Sequence, residues 1–242
     1  MLVQIYEVTS PEEASALARI GVDHIGVLVG EGEFPREQPI AVAKRIFAAI
    51  PATSKGSALS LSADVRAIER IVAGLSPPIL HLGASADLLT PEHVAQLKKK
   101  FKGLCIMRSI PVVDEESITI ATSYDGIADI MLLDSHRPGD RQIGALGVTH
   151  SWELDRKIVE SVRVPVIIAG GLGPDTVVAA IEAVRPAGVD SKTKTDKDDG
   201  SHTKDLEKVR RFVSLAKSWA GPRSGSGVEF AKFERRNGAV EP

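Results

Sequence analysis

The stretch PVIIAGGLGPDTVVAAIEAV, residues 165–184, decides the fold. A run of apolar, mostly β-branched residues ends at the glycine pair Gly170–Gly171, and a helix opens close behind, near Pro174 and Asp175. This is one strand–turn–helix unit, with the continuously apolar strand that parallel sheets bury on both faces. The same unit recurs outward in both directions. LVQI (2–5) leads to SPEEASALARIG (10–21), where Ser10 is the N-cap, Pro11 fills the first turn and Glu13 stands three residues after the cap. HIGVLV (24–29) leads through a loop to PIAVAKRIFAAI (39–50), and ALSLS (58–62) to ADVRAIERIVAGL (63–75). PILHL (78–82) leads to TPEHVAQLKKKF (90–101), capped by Thr90, and LCIMRSI (104–110) to a weaker helix around EESITIATSY (115–124). DIMLLD (129–134) leads through a polar loop to SWELDRKIVESV (151–162), and AGVDS (187–191) through another to HTKDLEKVRRFVSLAKSW (202–219).

Eight such units in 242 residues are the count and size of a (β/α)8 barrel. The competing fold, an open doubly wound sheet, has fewer units and a glycine-rich turn after its first strand. Here the first turn, YEVTSP (6–11), has no glycine, and the glycine pair follows the seventh strand, where barrels often hold phosphate. The expected organisation is a single α/β domain, the barrel, over residues 1–220, with a Gly/Ser-rich and then charged tail over 221–242 that docks at most through VEFAKF (228–233). The charged stretch DSKTKTDKDDGSHTKD (190–205) reads as a long loop at the mouth.

Composition agrees with this architecture. Hydrophobic residues make up 43% of the chain and aromatics only 4%, which suits buried parallel strands under helices. A net charge of −2 speaks against nucleic acid or a membrane as partner. One cysteine, Cys105, allows no intrachain disulfide and fits a reducing compartment. With no signal pattern at the N-terminus and no bilayer-length apolar run, the expectation is a cytoplasmic protein, monomer or homodimer. The histidines outside the fourth strand (His24, His93, His136, His150, His202) have no metal-ligand spacing, so neither a metal nor another cofactor is expected.

Several residues carry chemistry by position. Asp134 ends an apolar strand, where desolvation can raise a carboxyl pKa and make it an acid, or where it caps the next loop. Gly170 and Gly171 either let the backbone approach a phosphate or only make a tight turn. Lys192 and Lys194 either offer positive charge to a phosphate or carboxylate or form a solvated loop. Tyr6 and Glu7 follow the first strand. A phenol with a reference pKa of about 10 is a poor base at neutral pH, whereas a glutamate is a competent one. Adjacent strand residues face opposite ways, so Glu7 faces the mouth only if the strand has already ended. Cys105 lies inside the fifth strand and belongs to the core.

Taken together, VQIYEVTSPEEASALARIGVDHIGVL (3–28), FPREQPIAVAKRI (34–46), ILHLGAS (79–85), MLLDS (131–135), GALGVTHSW (144–152), VIIAGGLGPDTV (166–177), GVDSKTKTD (188–196) and TKDLEKVRRFV (203–213) resemble, in order and spacing, the phosphoribosylanthranilate isomerase family of tryptophan biosynthesis. The resemblance runs from Leu2 to Trp219. It implies an Amadori rearrangement of an aminoaldose phosphate to an aminoketose phosphate, with a general acid at the ring oxygen and a general base at C2. It implies Asp134 as the acid, Arg36 near the substrate carboxylate, His81 as a supporting residue, and Gly170, Gly171, Asp190, Lys192 and Thr193 around substrate and phosphate. The family's base, a cysteine, is replaced by Tyr6, and the glycine after it by Glu7, which leaves Glu7 or Tyr6 to take the proton. Ser151 stands where the family has aspartate, Gly144-Ala145-Leu146-Gly147 stands for Gly-Gly-Thr-Gly, and Lys192-Thr193-Lys194 for Ser-Ser-Gly. A Cys/Asp mechanism is therefore excluded, and the alternatives are a paralogue acting on another phosphorylated or carboxylated substrate, or a barrel that binds such a ligand without turning it over.

Overall fold

A computed structural model describes residues 1–144 and 150–221. Its strands are β1 (Leu2–Ile5), β2 (His24–Leu28), β3 (Lys55–Ser60), β4 (Ile79–Leu82), β5 (Cys105–Val112), β6 (Ile130–Ser135), β7 (Val166–Ile168) and β8 (Gly188–Ser191). They form one closed parallel barrel in sequence order, with β1 returning to β8 in the register Gln4↔Asp190. The helices are α1 (Pro11–Ile20), α2 (Ile40–Ala48), α3 (Val65–Leu75), α4 (Pro91–Lys100), α5 (Glu116–Tyr124), α6 (Trp152–Ser161), α7 (Val177–Val184) and α8 (Leu206–Ser218). Every strand is followed by a helix, as the sequence pattern predicts. The proposed tail beyond Gly221, with VEFAKF, and Ala145, Leu146 and Gly147 lie outside the described residues. Among the described residues no helix is long and apolar enough to cross a membrane.

The ends of the helices have local causes. The Ser10 hydroxyl accepts the Glu13 N–H at 3.1 Å, and Pro11 starts α1, whose run stops at Gly21 in left-handed backbone. Ser151 caps α6 by accepting the Leu154 N–H at 3.3 Å. An aspartate at that position would cap equally well, so the departure from the family motif conserves the local physics.

Two apolar layers make the core. One lies between the strands and the helices and includes Val3, Ile25, Leu80 and Phe212. The other fills the barrel axis with Leu2, Ile79, Cys105, Met107, Ile130 and Ile167, capped near the mouth by Tyr6, Leu132 and Ala169. Cys105 thus sits in the core. The outer layer also holds Arg108: it is wholly buried, and its guanidinium donates to the carbonyls of Leu82 (2.9 Å) and Ala84 (2.8 Å) while lying over the Tyr124 ring. It thereby ties β5 to the loop leaving β4.

The boundaries differ from the sequence reading in two informative places. β3 starts at Lys55 instead of Ala58. Its opening residues, Lys-Gly-Ser, have no β-branched side chain to announce a strand; pairing with β2, in register Gly26↔Ser57, extends them. The charged stretch after β8 is folded on itself and held to α1, where Glu13 Oε1 accepts the Lys204 N–H at 2.6 Å. The buried Lys204 ammonium donates to Asp196 at 2.5 Å and to the Lys192 carbonyl at 3.2 Å, and Lys197 N–H donates to the Thr203 carbonyl at 2.8 Å.

Candidate active site

The inward-facing positions change from apolar to polar as the strands reach their C-terminal ends, where barrels of this kind hold their sites. There a cavity opens at the mouth, lined by Tyr6, Glu7, His81, Asp134, Gly170, Gly171, Asp190, Lys192 and Thr193; of the candidate site residues, Arg36 and Lys194 do not line it. Arg36 reaches the same place from the loop after β2 by holding Glu7.

Tyr6 follows β1 and turns inward. Its ring lies over Gly26 of β2, where a β-carbon would stand 2.1 Å from the ring, so only glycine leaves it room. The phenol oxygen is 2.6 Å from the Ser57 hydroxyl and 2.7 Å from His81 Nδ1, and His81 Nε2 is 2.8 Å from the Ser109 hydroxyl. Burial pushes the Tyr6 phenol well above its usual value, and burial together with the Arg108 charge pushes His81 down to about 3. The chain Ser57–Tyr6–His81–Ser109 is therefore a network of neutral groups crossing β3, β1, β4 and β5.

Glu7 answers the orientation question through its backbone. Strand alternation after Tyr6 would turn it outward, but at φ 59 its backbone is left-handed and the side chain returns to the mouth. Arg36 grips the carboxylate with two hydrogen bonds, Nε to Oε2 at 2.5 Å and Nη2 to Oε1 at 3.2 Å. Lys192 Nζ stands 3.4 Å from Oε1. Burial alone would raise the Glu7 pKa; the Arg36 hydrogen bond and the charges of Lys192 and Arg36 outweigh it, and the carboxyl ends below its ordinary value.

Two further carboxylates face the cavity from β6 and β8. Asp134 Oδ1 accepts the Ser135 N–H at 2.8 Å, and its Oδ2 rests against Gly144, where a β-carbon would come within 2.2 Å. Burial pushes Asp134 up to about 6, against the Ser135 hydrogen bond and the nearby His150. His150 itself is held by the buried Asp155, with Nε2 at 2.9 Å from both carboxylate oxygens. Asp190 accepts a hydrogen bond from Gln4 Nε2 at 3.1 Å. Burial first, then the charge of Asp134, push it up to about 8. Asp190 thus feels the charge of Asp134, which lines the same cavity.

Between and beyond these two carboxylates the wall is made by Gly170 and Gly171, at φ 80 and 68, and by residues Ser191 to Thr193; the Ser191 hydroxyl donates to the Leu172 carbonyl at 2.7 Å. Among the described residues no cluster of three or more His, Cys, Asp or Glu could hold a metal ion. The residues that sequence reasoning missed are Ser57 and Ser109. Ser57 falls in the part of β3 that no apolar pattern announces, and neither serine has a local signal, because their partners stand on other strands.

The model of the family described as N-(5'phosphoribosyl)anthranilate (PRA) isomerase matches residues 89–215. The N-(5'-phosphoribosyl)anthranilate isomerase of Methanocella arvoryzae is 33% identical over 211 residues, 87% of this chain and 95% of that protein. The solved N-(5'-phosphoribosyl)anthranilate isomerase of Pyrococcus furiosus superposes with TM-score 0.73 at 24% identity, covering 90% of this chain and all of that one. A phosphoribosyl anthranilate isomerase solved in complex with reduced 1-(o-carboxyphenylamino)-1-deoxyribulose 5-phosphate superposes with TM-score 0.74 at 20% identity, over 90% of this chain and 100% of that one.

Proposed function

This chain belongs to the N-(5'-phosphoribosyl)anthranilate isomerase family, and from that membership we propose that it isomerises phosphoribosylanthranilate to the corresponding carboxyphenylamino-deoxyribulose phosphate with two aspartates in place of a Cys/Asp pair. The substrate is small, phosphorylated and carboxylated, like the ligand of the solved relative. We assign residues 1–220 to the catalytic barrel, which acts as a monomer or homodimer in the cytoplasm, and 221–242 to a C-terminal tail.

The observation that carries this reading is that Asp134 and Asp190 line one cavity with pKa values pushed to about 6 and about 8. Around neutral pH the pair keeps one proton. Ring opening needs a proton delivered to the ring oxygen, and the next step needs the C2 proton removed; a half-protonated pair supplies both functions. The enolamine then takes a proton at nitrogen's neighbouring carbon, C1, as the C2 hydroxyl gives up its own, and the ketone forms with no net gain or loss of protons. Tyr6 is not available as a base near neutral pH, because burial keeps the proton on its phenol. Glu7 is ionised, but Arg36 and Lys192 depress its basicity. Both line the mouth and shape it; Asp190 is the carboxylate with the higher proton affinity. Gly170, Gly171, Lys192 and Thr193 form the wall that suits the phosphate, since positive-φ glycines expose backbone N–H groups and Lys192 adds charge.

The test is turnover of phosphoribosylanthranilate by the purified protein, followed by loss of substrate fluorescence. Wild type is expected to turn over, and Asp134→Asn to lose roughly a hundredfold to ten-thousandfold in kcat. Turnover no faster than that of Asp134→Asn would remove the isomerase reading.

A further inference from the structure

Glu7 and Arg36 share a feature beyond their ion pair: both occupy left-handed backbone, at φ 59 and 67. Two of the other non-glycine residues in that region, Ser76 and Arg185, are helix C-caps, where the conformation is ordinary. At Glu7 and Arg36 the strain instead aims two opposite charges at each other over the cavity. The Glu7 side chain is only 10% exposed, yet it is held by cations from two other loops, Arg36 after β2 and Lys192 after β8. Strain maintained by surrounding structure at the mouth of a site marks a clamp.

We propose that Glu7 is an internal counter-ion: its carboxylate occupies Arg36 and Lys192 until the anionic group of the ligand displaces it, and so makes Glu7 a specificity-determining residue. The guanidinium fork of Arg36 matches a carboxylate in two-point geometry, and Glu7 supplies that partner in the unliganded site. A neutral ligand cannot exchange with it and leaves the clamp closed. An anionic ligand takes over both cations and frees Glu7. The affinity for anions is therefore lowered by competition, while discrimination against neutral ligands is kept. The inference rests on the proposed function in taking the ligand to be an anion that enters at Arg36 and Lys192.

The test measures binding, by calorimetry, of anthranilate, of inorganic phosphate and of neutral aniline to wild type, Glu7→Gln and Glu7→Gly. Glutamine keeps the shape and removes the charge; glycine is at home at φ 59 and carries the test if the glutamine variant does not fold. Both variants are expected to bind at least one of the two anions about tenfold more tightly than wild type, with aniline unchanged. Unchanged or weaker binding of both anions would overturn the proposal, as would an equal gain for aniline. With phosphoribosylanthranilate the expected signature is a lower KM. Turnover by wild type without an affinity gain in the variants defeats the counter-ion and leaves the isomerase standing; a gain without turnover does the reverse.

Discussion

Tyr6 shows how one residue is fixed by partners far away in the chain. Its phenol meets Ser57 and His81, and its ring needs the bare backbone of Gly26. Tyr6→Phe is expected to lose about 1 kcal/mol of stability, since His81 Nδ1 and the Ser57 hydroxyl lose a buried partner. In the two-aspartate proposal the phenol accepts no proton, so kcat should fall by less than about tenfold, a small change beside the hundredfold or more of a general acid–base residue. Chemical denaturation and steady-state kinetics on the same preparation check both numbers. The position of Tyr6 was legible in the sequence, as the place where the resembling family keeps its cysteine. Its network was not, because Ser57 and Ser109 stand on separate strands and meet it only in the closed barrel. Nor was the direction of Glu7 legible: a left-handed backbone at a glutamate runs against its own steric preference, and nothing local in YEVTSP encodes it.

At the scale of elements, the barrel was readable because each strand is an apolar run and most helices carry caps. Boundaries failed where pairing overrides propensity, as at the start of β3. The contact between β1 and β2 makes a sharp expectation. Gly26→Ala drives a methyl group into the Tyr6 ring, and the ring cannot retreat without leaving Ser57 and His81. Overpacking of this kind costs typically about 1–3 kcal/mol. Gly26→Ala combined with Tyr6→Phe should lose less than the sum of the single changes, since the second frees the ring to move. Strict additivity in denaturation would mean that the ring and Gly26 are not coupled. The glycine pair after β7 was legible as a wall of the site because its spacing to strand and helix is local. The fastening of the loop after β8 was not, because Lys204 looks like any other lysine of a charged run until it is seen buried on Asp196.

For the whole molecule, the mouth trades stability for chemistry. Asp190 has its folded pKa raised from 3.8 to about 8, so between those values the native state keeps a proton that the unfolded chain has released. The unfolded state then binds fewer protons, and stability falls as pH rises through that window, with the full cost present above pH 8. Asp134 acts in the same direction over a narrower range, up to about pH 6. Asp190→Asn removes the buried charge and keeps an acceptor for Gln4. It is expected to be more stable than wild type by roughly 2 kcal/mol at pH 8.5, with the gain fading in acid. Urea denaturation at pH 8.5 and pH 5 reads the difference; a variant destabilised at both pH values would contradict this description of the mouth.

The same variant tests the central claim most directly, through the pH profile of kcat for phosphoribosylanthranilate. Wild type is expected to give a bell with limbs near pH 6 and pH 8, because the reaction needs one carboxyl protonated and its neighbour ionised. Asp190→Asn should lose at least about a hundredfold at the optimum, along with the upper limb. An Asp190→Asn protein with wild-type kcat and an unchanged bell would contradict the two-aspartate account.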